Sequence, residues 1–575
     1  MEKGFPKEEL QMKITKKTAA MLCALGMCLS TMPKNVLAEE EIIEETETVA
    51  QDVTEEEIIE EQESTEDSAE ERLPEEADNN VIAAEESFHY EIEENEHAEI
   101  TVSRSNLGPN EYEVRVFPEE GYESWGIEIV NEAGEDVKFP TCTNVLALFF
   151  LTENVTIRAA VHPKDAVTYV DENGTRYVVP EYTDMSQVSD TDGVTLTDGW
   201  YVVSGQEVFE NRININGDVN LVLLDGAKLT ANKGIHNGEA SNGHLTIWAS
   251  SPGEYAGELE AYGINEKDAS AIGGNEDENG GTINIHGGLI KAHGAGGAAG
   301  IGGGKGGNGG LINIYGGNLD LTHYLCPNYY GVGAGMGGGE DADGGVINIY
   351  GGHIEARGRH AHICGAAAGI GGGDQGNGGK ITIHGGYIHA YGDLNTEYWG
   401  HGAGIGGGDN GNGGEITING GTVYAEACSG AAIGGGDEGS SGKIVINGGT
   451  IHAYTEGNHS IGSGAAIGSG DEGDEAWIEI YGGDIYAKSE FVKGLFDDEQ
   501  GAGIGSGSDA GTAQIYIAGG HIEAEGWEAI GGGNGTRESD TGLRLGSYMI
   551  VEGADNLDPV DQGRFMRMHH CIVHD

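Results

Sequence analysis

Basic residues are scarce in this chain, which has 29 Lys and Arg against 96 Asp and Glu and a formal net charge of −67 at pH 7. Nucleic-acid binding requires a basic face that neutralises phosphates, so the composition argues against that class of partner. Anionic membrane surfaces are disfavoured for the same reason. The charge favours solubility and association with cations or with neutral and basic partners.

Proline and cysteine are also few, at 11 and 7 of 575 residues. Because proline is scarce and glycine follows no Gly-X-Y period, collagen is excluded. The cysteines beyond residue 38 are odd in number, irregularly spaced and without a CxxC pair, so neither a disulfide framework nor a zinc site is indicated. A single disulfide between Cys326 and Cys364 is kept as an alternative. The cysteines concerned are Cys142, Cys326, Cys364, Cys428 and Cys571.

After the N-terminal segment the chain has no long apolar run, and none of its later runs approaches the ~18 residues of a membrane span. That segment has Lys13, Lys16 and Lys17, then the apolar run 18–32, then Val-Leu-Ala at 36–38. This order is typical of a signal peptide, and we expect cleavage after Ala38. A buried helix is the alternative interpretation, and a lipoprotein is disfavoured because no small residue precedes either cysteine of the segment. We therefore predict an exported protein, secreted or held at the cell surface, with no membrane insertion after cleavage.

Two segments of different character follow the predicted signal peptide 1–38. Residues 39–96 are dominated by Glu and repeat the string EEEIIEE at 39–45 and 55–61. Self-repulsion and low hydrophobicity predict a disordered acidic linker, with a partner-binding helix as the alternative. Residues 97–165 contain runs that alternate apolar and polar side chains at period two, which predicts a small β-rich module.

From residue 271 onward the chain repeats itself eight times. Each unit has an anchor residue followed by Gly, and a Gly-Gly pair begins fifteen residues later. Length varies only between that pair and the next anchor. The anchors are Ile272, Ile301, Met336, Ile370, Ile405, Ile433, Ile467 and Ile504, and the pairs begin at Gly287, Gly316, Gly351, Gly385, Gly420, Gly448, Gly482 and Gly519.

The repeated part of each unit predicts about three short strands separated by turns. Alternating pairs such as Ile283/Ile285 precede the Gly-Gly turn and pairs such as Ile290/Ala292 follow it. One unit cannot bury a core, but units stacked at ~4.8 Å bury continuous aliphatic ladders and pair their backbones. We therefore predict an all-β chain with a right-handed parallel β-helix over 185–552 and a tail at 553–575. A propeller is less suited, since its blades need four antiparallel strands.

Two stretches of the chain resemble known families. The segments GWYVV at 199–203 and GDVNL at 217–221, with the recurring AGIGGG…GGxIxIxGG, resemble the glycine-rich β-helix of exported Firmicutes proteins of the carbohydrate-binding type. This resemblance covers about residues 185–550 and implies a pectate-lyase-like (pectin lyase fold) solenoid, often non-catalytic, at the cell surface. The segments 116–122 and 153–157 resemble small β-repeat modules of Gram-positive surface proteins, which implies a spacer or adhesion role.

Outward aromatic and polar side chains recur on the strand after the Gly-Gly turn. Flat side chains repeated in every coil suit a carbohydrate that runs along the solenoid axis. We expect Trp399 to bind with them, on an insertion with Tyr398 and His401 that forms a rim. Ordinary cross-strand stacking of aromatics is the competing interpretation. The predicted carbohydrate-binding residues of the strand are Tyr387, His389, Tyr391, Tyr424, His452, Tyr454 and Tyr486.

A second column is acidic and lies four residues after the anchors. Neighbouring carboxylates about 5 Å apart repel one another, and Ca²⁺ would remove that cost. Calcium is therefore the one cofactor considered, with outward splaying of the acids as the alternative. A third column, Asn279, Asn308, Asn377 and Asn412, predicts structural amide contacts between coils. The predicted metal ligands are Glu340, Asp374, Asp409, Asp437 and Asp471.

Catalysis has weaker support in the sequence. Arg357, Arg359, Glu355, His360 and His362 form the best local cluster for a polysaccharide lyase. A hydrolase would need a pair of facing carboxylates, which a repeat this acidic conceals. We expect a non-catalytic, monomeric carbohydrate-binding or adhesion protein with a glycan or polysaccharide as partner. Polysaccharide cleavage is the second hypothesis, and a structural surface spacer is the third.

Overall fold

The computed structural model describes most of the chain from residue 88 onward, within the unit Ser87–Asp575. The N-terminal unit, Met1–Glu86, lies outside the described residues, and with it the predicted signal peptide and most of the acidic linker. The described ranges are 88–105, 110–138, 143–191, 193–238, 243–253, 256–264, 267–321, 332–358, 365–392, 401–457, 462–490, 500–536, 541–546, 550–553 and 570–574.

Two three-stranded sheets occupy residues 90–163. Their apolar side chains, among them Val114, Ile129, Phe149 and Ile157, form one buried core of their own. The alternation of apolar and polar residues in these strands places one face of each strand in that core. The first sheet contains Tyr90–Ile92, Val155–Pro163 and Tyr122–Asn131, and the second contains Ala98–Arg104, Glu111–Pro118 and Leu146–Phe150.

A short connecting segment joins these sheets to the repeats. It contains the antiparallel pair Thr168–Val170 and Arg176–Val178, the strand Tyr182–Asp184 and a 3-10 helix, Met185–Gln187. Tyr182–Asp184 pairs in parallel with the long strand Val194–Val203, and the parallel ladder of the repeats starts there.

The repeats fold into three ladders of parallel strands, and the chain visits each ladder once per coil. Sheet 1 holds the two-residue anchor strands, and sheet 2 holds the strands before the Gly-Gly turn. In the first coils the long strands Val194–Val203 and Ile213–Leu223 serve both sheets. The remaining strands of sheet 1 are Ile235–His236, Ile272–Gly273, Ile301–Gly302, Met336–Gly337, Ile370–Gly371, Ile405–Gly406, Ile433–Gly434, Ile467–Gly468, Ile504–Gly505 and Ile530–Gly531. Those of sheet 2 are His244–Ala249, Thr282–Ile285, Leu311–Ile314, Val346–Ile349, Lys380–Ile383, Glu415–Ile418, Lys443–Ile446, Glu475–Ile480, Thr512–Ile517 and Thr541–Leu545.

Sheet 3 holds the strands that follow the Gly-Gly turn. Its last parallel strand is covered by His570–His574, which pairs antiparallel with it and with Ile550–Gly553. The segment predicted as a tail therefore contributes a strand to the solenoid. The parallel strands are Gln206–Phe209, Lys228–Ala231, Glu258–Tyr262, Leu289–His293, Asn318–Leu321, His353–Arg357, Tyr387–Tyr391, Thr422–Ala427, Thr450–Glu456, Asp484–Glu490 and His521–Glu525.

The interior of the coil is filled by aliphatic ladders. The anchors of sheet 1, the isoleucine pairs of sheet 2 and pairs such as Ile388/Ala390 of sheet 3 are all buried in one core. Each residue lies in register with its equivalent in the next coil, as in Ile381–Ile416–Ile444. The predicted parallel β-helix is confirmed.

The glycine after each anchor is required by the close approach of neighbouring coils. Gly406 has a φ of 140°, and a Cβ at this position would overlap the carbonyl oxygen of Gly434 in the next coil. The same relationship links Gly371 to Gly406 and Gly434 to Gly468. Only glycine combines this conformation with this contact, which explains why the repeat never varies there.

Candidate functional site

The outward face of sheet 3 carries the predicted carbohydrate-binding residues, and the structure aligns them in columns along the axis. His389, Tyr424, His452 and Tyr486 are direct partners in successive strands. They point outward because they alternate with buried residues such as Ile388 and Ala390. Tyr391, Glu426, Tyr454 and Lys488 form the neighbouring column, and Tyr387 follows His353 in a third.

The rings of these columns stack on one another in two groups. In the first, His353 and Tyr387 have ring centroids 4.7 Å apart and planes 13° from parallel. In the second, Tyr424, His452 and Tyr486 are spaced 4.5 and 4.8 Å apart, within 7° of parallel. Face-to-face stacking covers the ring faces inside each group, so these rings present mainly their polar edges. The cross-strand stacking anticipated as the competing interpretation is present.

The stacking is interrupted at two places, and ring faces open there. Tyr387 and Tyr424 are tilted by 42° at 5.5 Å, and Tyr486 meets His521 edge-on at 6.5 Å. Tyr387 and Tyr486, which end the two groups, are each 38% exposed. These two rings are therefore the ones in the columns that combine an exposed side chain with an uncovered face.

A chain of hydrogen bonds crosses the middle of the face. The carboxylate of Glu426 lies 2.9 Å from Nε2 of His389, and Nδ1 of His389 lies 2.6 Å from the Tyr391 hydroxyl. Burial and the Glu426 charge raise the pKa of Tyr391, so its hydroxyl keeps its proton at neutral pH. The arrangement of acid, imidazole and phenol suits proton transfer as well as binding.

Arg357 lies beside this chain. Its guanidinium carbon lies 5.0 Å from the Tyr391 ring centroid, and the side chain is also ion-paired to Glu355. Of the cluster proposed for a lyase, only this Arg357–Glu355 pair falls within the described ranges. Arg359, His360 and His362 lie outside them.

Tyr454 is held differently from the other tyrosines. Its hydroxyl donates to Glu490 at 2.7 Å and to Glu456 at 3.3 Å. Burial and these carboxylates raise its pKa far above the usual value. Tyr454 therefore presents a fixed, fully protonated hydroxyl rather than a free ring.

The predicted rim is described only in part. Trp399 and Tyr398 lie outside the described residues. His401 is fully buried, with Nδ1 2.8 Å from the Ser429 hydroxyl, so it forms part of the interior and does not contribute to a rim.

The acidic column is buried between coils. Glu340, Asp374, Asp409, Asp437 and Asp471 all have little exposed surface, so these five do not splay into solvent. Each acid is covered by the segments that lead into the anchors. The Asp409 amide donates to the carbonyl of Ala366, which leads into the preceding coil. The Asp374 carboxylate occupies the space that a Cβ on Gly365, which leads into its own coil, would need. Burial, with repulsion from the neighbouring acids, raises the pKa of Asp374, Asp409 and Asp437 to about 7.

The described residues do not gather these acids into a metal site. Nowhere in the described ranges do three or more His, Cys, Asp or Glu side chains group so that they could hold an ion. A column places one carboxylate in each coil rather than several around one point. At its N-terminal end Lys305 pairs with Glu340 at 2.6 Å, which supplies the one opposite charge within the column itself.

The asparagine column has the predicted structural role. The Asn279 side chain accepts a hydrogen bond from the Asn308 amide of the next coil at 2.9 Å. Asp343 bonds to Asn308, Asn377 to Asp343 and Asn412 to Asn377 in the same way. Each side chain thus satisfies a backbone donor at the turn of the following coil.

A longer aromatic ladder, not predicted from the sequence, lies at the corner between sheets 2 and 3. Trp248, His286, Tyr315, Tyr350 and His384 stack in this order with ring centroids 3.8 to 4.9 Å apart and planes within 13°. The signal was available, because these residues, Trp248 excepted, immediately precede the Gly-Gly pairs. An exposed Trp477 on sheet 2 was also missed.

Of the five cysteines beyond residue 38, two lie within the described ranges. Cys428 and Cys571 are buried, Cys571 as a free thiol, and Cys142, Cys326 and Cys364 lie outside the described residues, including the pair proposed for a bridge. No helix among the described residues has the length and apolar character to cross a membrane.

Coiled parallel sheets with buried aliphatic ladders place the chain in the class of parallel β-helix repeat proteins. The family model described as "Beta helix repeat" matches six segments, and each begins at the first inward isoleucine of a sheet 2 strand. Together with the strong right-handed preference of parallel crossovers, these matches support the predicted right-handed winding. Searches of the curated proteins and of the solved structures find no match to this chain. The matched segments are 283–305, 347–374, 381–409, 416–437, 444–471 and 478–508.

Proposed function

We propose that this protein is exported and binds carbohydrate, without cleaving it, through the outward face of sheet 3. The observation that carries the proposal is the in-register array of tyrosine and histidine side chains, which offers hydroxyl and imidazole edges at every coil. Hydroxyl-rich ligands match such edges, and aromatic faces suit the apolar faces of sugar rings. The strongly negative chain favours a neutral glycan over a polyanion.

Within this surface, the aromatic rings of Tyr387 and Tyr486 make most of the stacking contacts with the sugar rings. Both are 38% exposed and both stand where the stacking is interrupted. The covered rings between them contribute hydrogen bonds from their edges. In the same face the Tyr391 oxygen, whose proton is directed to Nδ1 of His389, serves as an acceptor for sugar hydroxyls.

A glycan array and a polysaccharide pull-down with the mature chain test this proposal, each with and without Ca²⁺. We expect the double variant Tyr387→Ala/Tyr486→Ala to lose binding at least tenfold. Tyr350→Ala is the matched control, because Tyr350 is 44% exposed but stacked on both faces by Tyr315 and His384. Equal binding by the wild type and the double variant, or no binding of any glycan by the wild type, would refute the proposal. Loss of binding without Ca²⁺ would also revive the untested calcium hypothesis.

Export is tested separately by determining the N-terminal residue of the protein that is recovered from the medium or the cell surface. We expect processing after Ala38. A chain that retains residues 1–38 in the cytoplasm contradicts export and leaves the binding assay unaffected.

Polysaccharide cleavage is the second candidate, favoured by the Glu426–His389–Tyr391 hydrogen-bond chain. In an elimination from a uronic-acid sugar, Tyr391 would pass its hydroxyl proton to Nδ1 of His389, whose imidazolium Glu426 stabilises, and the phenolate would then take the C5 proton. The C4–O bond would break as the C4=C5 bond forms, the re-formed Tyr391 hydroxyl would protonate the leaving oxygen, and His389 would return its proton to Tyr391. The test is the ultraviolet absorbance of unsaturated products from polysaccharides incubated with the protein. Activity that disappears in His389→Gln while binding persists would establish the lyase, and no absorbance with any bound glycan would refute it.

A further inference from the structure

An open groove lies on the outward face of sheet 2 near the C-terminal end of the solenoid. Its volume is about 260 Å³, and three successive strands supply its walls. Trp477, Gln514 and Gly542 are in register across it. Glu479, Tyr516 and Arg544 form the adjacent column.

The groove exists because Gly542 has no side chain where its neighbours have large ones. Trp477 is 56% exposed, the most exposed tryptophan in the described ranges, and within those ranges no other ring stacks on it. Its indole Nε1 donates to Glu479 at 3.0 Å, which fixes the ring's orientation. A fixed aromatic ring loses little conformational entropy on binding a ligand.

The carboxylate of Glu479 is already engaged. Besides the indole it accepts the Tyr481 hydroxyl at 3.2 Å, and it lies 3.7 Å from Nζ of Lys443. Glu479 therefore serves to position Trp477, and it adds little free negative charge to the groove.

Arg544 supplies a positive charge at the opposite wall. Its guanidinium carbon lies 5.8 Å from the Tyr516 ring centroid. Among the described residues no carboxylate lies within ion-pair distance of it, although the chain carries a net charge of −67. A planar guanidinium without a partner matches a carboxylate in bidentate geometry.

We propose that this groove binds a single carboxylated sugar unit, with one face of the pyranose ring on Trp477 and the carboxylate on Arg544. Gln514 stands between them and offers amide donor and acceptor groups to the ring hydroxyls. The volume lies just below the usual range of ligand pockets, about 300–1,000 Å³, and so favours one unit. One guanidinium on a strongly acidic protein matches one acidic sugar at the end of a glycan, whereas a polyanion would be repelled.

The site does not require the proposed function of sheet 3, from which it differs in sheet and in residues. The test is a saturable NMR titration of the mature chain with methyl glucuronide and, in parallel, methyl glucoside as the neutral probe. We expect the glucuronide to bind about tenfold more tightly. Arg544→Gln should remove that difference, Arg544→Lys should keep part of it, and Trp477→Ala should abolish binding of both probes.

Tyr387→Ala/Tyr486→Ala provides the control and should leave both titrations unchanged. Urea midpoints matching the wild type show that each variant is folded, and Trp477→Phe, which keeps an aromatic ring, should retain binding. Equal affinity for both probes, or an Arg544→Gln variant that keeps the preference, would overturn the assignment. Glucuronide binding that depends on Tyr387 and Tyr486 but not on Trp477 would also overturn it, while supporting the function proposed for sheet 3.

Discussion

Tyr424 and His452 stack in successive strands of sheet 3 with ring centroids 4.5 Å apart and planes 6° from parallel. That separation is close to the spacing of neighbouring strands, ~4.7–4.9 Å, so the coil repeat itself brings the rings into contact. The side chains that make the face a candidate binding surface therefore also stabilise the solenoid. A binding experiment on this face has to separate the two roles.

Replacing His452 measures the structural role. We expect His452→Ala to lower the free energy of unfolding by about 0.5–1.5 kcal/mol, because the ring loses its stacking on both Tyr424 and Tyr486. Thr450→Ala, in the same strand and outside the stack, should change it by less than about 0.5 kcal/mol. Urea unfolding followed by circular dichroism checks both, and equal effects of the two changes would show that the stack contributes no stability.

The close approach of the coils makes a sharper prediction. Gly406→Ala would place a Cβ against the Gly434 carbonyl in a backbone conformation with φ 140°, so we expect a loss of more than about 3 kcal/mol or failure to fold. Gly448→Ala is the control, because φ there is not positive and the nearest atom to its Cβ is 3.1 Å away. We expect that change to cost about 1 kcal/mol or less. Comparable midpoints for the two variants would contradict the packing described for sheet 1.

Much of the fold could be predicted from the sequence, because a repeat constrains every coil at once. Alternating pairs such as Ile416/Ile418 fix the buried face, and the Gly-Gly pairs fix the turns between sheets 2 and 3. The acidic column shows where this reasoning ends. Spacing places Asp409 and its equivalents at the same point of their coils. The burial of Asp409 depends on the segment at Ala366, which lies in the variable part just before the anchor Ile370 of the preceding coil.

The candidate sites were less predictable than the fold. Register indicates that Tyr424 and His452 are neighbours, but the exposed faces of Tyr387 and Tyr486 depend on where the stack is interrupted. Spacing does not single out Trp477, because the groove beside it also depends on the absence of a side chain two coils further on, at Gly542. Periodicity reveals what every coil shares, and these sites arise where single coils differ.

The buried acids predict an unusual dependence of stability on pH. The pKa of Asp409 rises from 3.8 to about 7, through burial and then the charge of Asp374. Between these values the folded chain binds a proton that the unfolded chain releases, so the contribution of Asp409 to stability is greatest below about pH 4, falls as pH rises to about 7 and is then level. Asp409→Asn removes this contribution, and we expect it to be more stable than the wild type by about 1–3 kcal/mol at about pH 8, with the advantage lost at about pH 4.

Urea unfolding of wild type and Asp409→Asn across this pH range provides the measurement. Asp484→Asn, which replaces an exposed aspartate of sheet 3, serves as the control and should match the wild type at about pH 8 to within about 0.5 kcal/mol. Because Asp374 repels Asp409 and Asp409 repels Asp437, these three carboxyls titrate as a coupled set, and a broad transition is expected. A stabilisation of the wild type with rising pH, relative to Asp409→Asn, would show that these carboxylates are ionised and well solvated or bound to a cation.

Docking of the strand His570–His574 can be measured by the reactivity of Cys571. This thiol lies opposite Ala524 of sheet 3 and is buried, which raises its pKa to about 12. Alkylating agents attack the thiolate, so at about pH 8 we expect Cys571 to remain unmodified in the folded protein and to react fully once urea unfolds it. Peptide mapping by mass spectrometry follows this position separately from the other cysteines. Modification of Cys571 in the folded chain at the rate seen in urea would mean that the strand does not cover sheet 3, and that the end of the solenoid is open.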